Sequence, residues 1–267
     1  MEIPKPKKIS LDEIRNLFDL TGRVAVVTGG SGALGQAAAL GLAAYGADVV
    51  LVARRAEVLE EAAIEIREAG RRVLTVSCDV QDPASVQGMV DRTVQEFGGI
   101  DILVTSAGIA NRFPAEDFPP EEFQRIMGVN VNGTFLCCQA VGKHMIERGH
   151  GRIITVSSIR GLLGHPGGYA AYGTSKGAVH LLTRQLAAEW AKYKINVNAI
   201  APCIFWTPLT EQVLQDPELH KVFMSRIPWG RAAEPRDFIG ATVYLASDAA
   251  EFVTGHILYV DGGSTAA

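Results

Sequence analysis

The sequence predicts an α/β protein, a single doubly wound sheet of seven parallel strands with helices on both faces. Three observations carry this. Seven short runs of β-branched and aliphatic residues alternate strictly with helical stretches, an order that implies parallel strands joined by right-handed crossovers. No internal repeat, charge block or low-complexity linker interrupts the alternation, so a single domain accounts for the chain beyond its N-terminal extension. The first run ends in a cluster of glycines, the punctuation of a tight strand-to-helix turn.

In chain order, Met1–Leu20 is an N-terminal extension ahead of a domain over residues 21–267. Ser10-Leu-Asp-Glu13 fits a capping box, and Leu11, Ile14, Leu17 and Phe18 share an apolar face. One short helix packed on its own subunit or a neighbour is expected, with a frayed tail as the alternative. Val24–Val27 is the first strand. Gly30-x-Gly32-x-x-Gly35 after it matches the dinucleotide fingerprint, between a strand and an Ala/Leu-rich helix whose first amides would seat a phosphate. Asp48–Ala53 is the second strand. Ala56–Ala69 is a helix with Glu60, Glu61, Glu65, Arg67 and Glu68 on its wet face, closed by Gly70. Val73–Ser77 is the third strand, and Pro83–Phe97 a helix with proline at its start. Ile100–Thr105 is the fourth strand, Glu121–Ile146 one long helical stretch, and Arg152–Ser157 the fifth strand. Tyr169–Trp190 is a helix, Ile195–Ala201 the sixth strand, Pro235–Ala246 a helix and Ile257–Val260 the seventh strand. Thr207–Arg231 is too long for an ordinary connection and is expected to form helices over a substrate pocket.

Composition narrows the function. Hydrophobic residues at 48% and charged ones at 20% fit a soluble globular protein. A net charge of −4 offers no footprint for nucleic acid or an anionic membrane. Cys78, Cys137, Cys138 and Cys203 lack zinc or redox spacing, so reduced thiols in a cytoplasmic protein are expected. The histidines have no metal spacing, and no metal is expected. No secretory leader is evident. Asp48 is the one charge between Arg23 and Arg54, but the glycines and the strand–turn–helix–strand rhythm there indicate a buried βαβ unit rather than a membrane span.

Several motifs coincide in order: Thr28-Gly-x-x-x-Ala-x-Gly35, Cys78-Asp79-Val80, Ser106-Ala107-Gly108, Val129-Asn130-Val-Asn-Gly133, Ser157-Ser158, Tyr172-Gly-Thr-Ser-Lys176, Asn198-Ala-Ile-Ala-Pro202 and Val260-Asp-Gly-Gly263. From about Leu20 onward the chain resembles the short-chain dehydrogenase/reductase family. Ser106–Glu116 and Phe252–Gly263 are similar to its sugar-acid oxidoreductases of the gluconate 5-dehydrogenase kind. The resemblance implies a Rossmann-like fold, a nicotinamide cofactor, and a homotetramer paired through the helices at Glu121–Ile146 and Tyr169–Trp190. Three positions depart from the family pattern: Ala33 adds a methyl near the pyrophosphate, Thr105-Ser106 puts hydroxyls where an Asn pair is usual, and Cys203 replaces a glycine.

Carbonyl reduction needs a proton donor beside a carbonyl and a hydride aimed at its carbon, the hydride coming from the nicotinamide. Tyr172 is the general acid/base. Lys176, one helical turn on, is expected to favour the phenolate and lower its pKa. Ser158, at the carboxyl end of the fifth strand, would stabilise charge on the substrate oxygen; Ser157 competes on position, and the family register favours Ser158. The resemblance gives Asn130 a local helix bend and a water that feeds protons to Lys176. The cofactor residues it implies are Gly29, Ser31, Gly32, Leu34 and Gly35 at the turn, Asp79 and Val80 at the adenine, Ser106, Ala107 and Gly108 after the fourth strand, Tyr172, Lys176, Pro202, Phe205 and Thr207. Ala53 stands where NAD enzymes place an acid, and Arg54 and Arg55 follow it. A guanidinium suits a 2′-phosphate, so NADP(H) is preferred over NAD(H). A solvated Arg54 that leaves both cofactors usable is the alternative. Arg112, Arg160, Tyr169 and Trp206 are candidates for the substrate pocket, an arginine being expected to meet a carboxylate. The reaction expected is alcohol–ketone interconversion, on a sugar acid first. The alternatives are a 3-oxoacyl-carrier-protein reductase, against which the net acidity weighs, and a non-catalytic NADP-binding sensor or scaffold.

Overall fold

The computed structural model describes residues 9–207 and 210–267. Residues 1–8 of the extension and 208–209 of the insertion lie outside the described residues. Seven strands form one all-parallel sheet: β1 (Val24–Thr28), β2 (Asp48–Ala53), β3 (Val73–Ser77), β4 (Ile102–Thr105), β5 (Gly151–Val156), β6 (Ile195–Pro202) and β7 (Ile257–Val260), in the order β3-β2-β1-β4-β5-β6-β7. This is the expected doubly wound architecture. The direction of winding reverses between β1 and β4, where Thr28 pairs with Val52 on one side and Thr105 on the other. Crossovers leave to opposite faces there, which opens a crevice at the carboxyl ends of the strands.

The central strands are buried on both faces, so their sequences are unbroken apolar runs rather than alternating ones. Ala25, Val27, Val49 and Leu51 enter one core with Leu42, Leu59 and Phe238. Val24, Val26, Val50 and Val52 enter the other with Met89, Met145 and Leu186. Each valine, leucine, methionine or phenylalanine among them contributes roughly 1.5–3 kcal/mol of burial. The first core is covered by α2 (Ala33–Ala44), α3 (Ala56–Glu68) and α10 (Pro235–Ala246), the second by α4 (Pro83–Phe97), α6 (Thr134–Arg148) and α7 (Ala170–Trp190).

Residues Glu121–Ile146 do not form one helix. α5 (Pro120–Met127) gives way to a π-helical turn at Gly128–Gly133, and α6 follows. Two glycines make the wider turn possible: a Cβ on Gly133 would come within 2.7 Å of Val80 Cγ2, and one on Gly128 within 2.6 Å of Gln81 Oε1. The short α1 (Leu11–Arg15) has the capping box, Ser10 Oγ accepting from the Glu13 amide at 3.1 Å and Glu13 Oε2 from the Ser10 amide at 2.7 Å. It buries nothing on its own subunit, and Leu11 is 70% exposed. The insertion contains α8 (Glu211–Gln215) and α9 (Pro217–Met224). Among the described residues no helix is long and apolar enough to cross a membrane, and no cluster of His, Cys, Asp or Glu could hold a metal ion.

Candidate active site

The turn after β1 is a cradle made by glycines. Gly29 has φ +67°, and a Cβ there would fall 2.7 Å from the Ala107 amide nitrogen. A Cβ on Gly35 would press on the Gly29 carbonyl, so the first turn of α2 rests directly on the loop backbone. Gly32 caps α2 without a side chain to bond the first-turn amides. Those amides are left for an anion at the positive end of the helix dipole. Ser31 and Leu34 lie half-buried in the same turn. The residues fit a dinucleotide's phosphates.

The next two strands supply the rest of the seat. Arg54 and Arg55 are exposed beyond β2, with no ion-pair partner among the described residues. The Arg54 carbonyl is held by Ser77 Oγ at 3.0 Å. After β3, Asp79 takes the Gln81 amide on Oδ1 at 3.0 Å, and Val80 is buried. After β4, the Ser106 amide donates to the Thr28 carbonyl at 3.1 Å and the Ala107 amide reaches Thr28 Oγ1 at 3.4 Å. Thr105 Oγ1 is buried without a partner among the described residues.

Tyr172 and Ser158 line a cavity of about 730 Å³ at the carboxyl ends of the strands. Ser158 leaves β5 as the cap of a 3₁₀ turn, its Oγ accepting from the Arg160 amide at 3.2 Å. It also lies close enough to the Tyr172 phenol to favour the phenolate. Ser157 instead donates to the Lys176 carbonyl at 3.0 Å and is tied to α7, outside the cavity lining. Lys176 is buried beneath, with Nζ donating to the Val156 carbonyl at 2.8 Å and 5.7 Å from the centre of the Tyr172 ring. Burial lowers its pKa to about 8.

The phenol behaves differently from expectation. Burial raises its pKa, and the nearby Ser158 hydroxyl offsets only part of that. Lys176, itself desolvated, does not overcome the burial in the protein alone. Asn130 is wholly buried in the π-helical turn. Its Oδ1 accepts from the Ile109 amide at 2.8 Å, and its Nδ2 donates to the Ile109 carbonyl at 2.9 Å and to Ser175 Oγ at 3.0 Å. Both ends of the amide are therefore used to clamp the loop after β4. Gly108 lies between: a Cβ there would sit 3.3 Å from Asn130 Oδ1 and 3.6 Å from Lys176 Nζ.

Arg112, Arg160 and Tyr169 line the cavity; Trp206 does not. Pro202 ends β6, its carbonyl 3.4 Å from Ser158 Oγ. The Phe205 side chain lies in the core, 3% exposed and edge-on to Phe238 at 6.2 Å, because the chain turns inward after Cys203 to bridge Ala233. Thr207 is bonded to Thr210, which lines the cavity. Sequence reasoning missed Arg226, Phe223 and Ile204 in the cavity wall. An arginine inside the predicted pocket insertion was the available signal.

A hydroxyl and a phenol aimed into a cavity, above a buried lysine and beside a dinucleotide cradle, define a device for proton transfer to or from a carbonyl oxygen. Comparison with known proteins agrees. A family model described as enoyl-(acyl carrier protein) reductase matches residues 30–265. The chain is 40% identical over 250 residues to the gluconate 5-dehydrogenase of Gluconobacter oxydans, covering 94% of this chain and 97% of that one. It is 40% identical over 255 residues to the 2-dehydro-3-deoxy-D-gluconate 5-dehydrogenase of Dickeya dadantii, covering 94% and 98%. The crystal structure of a gluconate 5-dehydrogenase from Burkholderia cenocepacia, in complex with NADP and tartrate, superposes with a TM-score of 0.91 at 39% identity, covering 94% and 98%. The chain belongs to the short-chain dehydrogenase/reductase family of oxidoreductases.

Proposed function

We propose that the protein interconverts a secondary alcohol and a ketone on a sugar acid, using NADP(H). The observation that carries this is the Ser158–Tyr172 pair opening into the cavity above Lys176. The relatives named for gluconate derivatives and the neighbour bound to NADP and tartrate support the substrate class and the cofactor. When bound, the nicotinamide supplies or takes the hydride at the carbon. In reduction the Tyr172 phenol donates its proton to the carbonyl oxygen while Ser158 Oγ hydrogen-bonds that oxygen and offsets its developing charge. Oxidation returns the proton to Tyr172. Lys176 holds a positive charge under the phenol and, with a pKa of about 8, is poised to pass a proton near neutral pH. Asn130 acts at one remove, fixing the loop at Ile109 that roofs Lys176.

Gly29–Gly35 hold the pyrophosphate, Asp79 and Val80 flank the adenine, and Arg54 with Arg55 meet the 2′-phosphate, giving preference for NADP(H). The protein assembles as a cytoplasmic homotetramer through α6 and α7, whose Phe135 and Leu181 are 40% and 65% exposed. The arginines around the cavity keep a second reading in view, reduction of an acyl chain on an acidic carrier protein. The test is NADPH oxidation with keto sugar acids beside a 3-oxoacyl thioester, on wild type and Tyr172→Phe. Sugar-acid turnover that falls at least about 100-fold in the variant, with NADPH binding retained, supports the proposal. Turnover of the thioester alone refutes the substrate, and full activity in Tyr172→Phe refutes the mechanism.

A further inference from the structure

The cavity is more cationic than one carboxylate requires. Arg112 from the loop after β4, Arg160 beyond Ser158 and Arg226 from the loop after α9 all line it, Arg112 and Arg226 being exposed; Ala267, the last residue, lines it too, and no Asp or Glu does. None of the three has an ion-pair partner among the described residues. Arg160 is half-buried, and its Nη1 donates to the Gly164 carbonyl at 3.0 Å and the Leu163 carbonyl at 3.5 Å. Those bonds fix the guanidinium plane and bring no negative charge. Burial acts most strongly against its protonated form; Tyr169 works the other way, and the nearby Arg226 charge adds to the burial. His165 brings no countercharge either. Its Nδ1 accepts from the Gly167 amide at 3.0 Å, its ring stacks on Phe223 at 5.7 Å, and burial with the three arginines lowers its pKa to about 4. Arg160, the half-buried member of the three, is costly to hold among like charges until an anion meets it, whereas Arg112 and Arg226 keep their water. One carboxylate satisfies one bidentate fork and leaves at least one solvated guanidinium free to bind a second anion.

We propose that the substrate carries two anionic groups on one short hydroxylated chain, with Arg226 and Arg160 taking one and Arg112, beside the Tyr169 ring, the other. The second group is a carboxylate or a phosphate. The proposal rests on the sugar-acid reading and sharpens it from a monoacid to a dianion. Arg226 is then the specificity-determining residue, since it is contributed by the insertion rather than by the strand ends that carry the chemistry.

The experiment measures kcat/KM with NADP for four compounds that share one six-carbon polyol chain: the neutral alditol, the aldonate, the aldarate and the aldonate phosphorylated at its far end. The aldarate or the phosphorylated aldonate should exceed the aldonate by at least about 30-fold, and which of them does so identifies the second group. Arg226→Gln should cut that preference to about 3-fold or less, with Arg226→Lys restoring much of it, and melting curves verify that both variants fold. An aldonate that matches or beats both dianions overturns the proposal while leaving the sugar-acid reading intact. An equal loss on aldonate and dianion in Arg226→Gln also overturns it. A neutral alditol that outperforms every acid, or no turnover of any of the four, defeats the sugar-acid reading and the proposal with it.

Discussion

Gly35→Ala tests whether the first crossover seats the cofactor by contact of helix on loop. The added methyl would press on the Gly29 carbonyl oxygen, lie 2.8 Å from the Gly29 carbonyl carbon and 3.1 Å from Gly30 Cα. Ordinary contacts begin near 3.4 Å, so α2 or the turn must retreat by more than about half an ångström. Neither neighbour is a flexible side chain. Overpacking of this kind costs about 1–3 kcal/mol, which in a protein of this size lowers Tm by roughly 3–10 °C. The same retreat pulls the α2 amides away from the phosphates. Losing one or two charge-assisted hydrogen bonds weakens NADPH binding by about 10- to 1,000-fold. Gly88→Ala is the control, since Gly88 sits inside α4 with nothing within 4 Å of a Cβ. It should raise stability by about 0.5 kcal/mol and leave cofactor binding alone. Fluorescence titration of NADPH and thermal melting read both variants. Wild-type affinity in Gly35→Ala would show that the phosphates rest somewhere else.

Further predictions follow from other sites. Ala53→Asp with Arg54→Ala should move the NADP/NAD ratio of kcat/KM toward NAD by about 100-fold, because a carboxylate at the end of β2 repels a 2′-phosphate and accepts from a 2′-hydroxyl; an unchanged ratio removes both residues from cofactor choice. Thr105→Val should be neutral or stabilising by up to about 1 kcal/mol, because the buried Thr105 hydroxyl has no partner to lose; a loss above that in a urea melt would reveal a bond at Oγ1. His180, 5% exposed and with Nε2 unpartnered, has its pKa lowered to about 4 by burial and then by Arg184 and Lys176. The unfolded chain takes up this proton first, so stability is full above about pH 6.5 and falls toward pH 4, by roughly 2 kcal/mol at pH 5. His180→Phe should make the urea midpoint less sensitive between pH 8 and pH 5. An unchanged slope would assign the acid sensitivity to other groups.

Most of the frame was legible because each strand is a two-sided apolar run and each helix carries its own stop. β2, β3 and α4 have the predicted limits, Pro83 opening α4 and Gly98 closing it in the left-handed region. The break at Gly128–Gly133 was invisible to periodicity, because π-helical turns preserve a helical pattern on either side, and only the resemblance pointed to it through the bend at Asn130. What forces it is tertiary, the approach of Val80 and Gln81 to two glycines and the grip of Asn130 on Ile109. Tyr172, Ser158 and Lys176 were legible through their spacing, whereas the preference for Ser158 over Ser157 becomes physical only when Ser157 is seen bound to the Lys176 carbonyl. The burial of the Phe205 side chain was not legible, because an aromatic at a strand end suits a cofactor floor and a core equally well. Arg226 was passed over because nothing local in its stretch says which way the wall of α9 faces.

The cavity joins two lengths of chain with different tolerances. Ser158 directly follows β5, and Tyr172 and Lys176 sit on α7, which Ser157 and Lys176 tie to the end of β5, while Phe223 lies on α9 and Arg226 in the loop after it, between β6 and α10. Exchanging residues 210–231 would redraw what the enzyme recognises without moving the atoms that shuttle the proton. A lineage could therefore wander among related acids by editing one stretch, its reaction kept constant by the other.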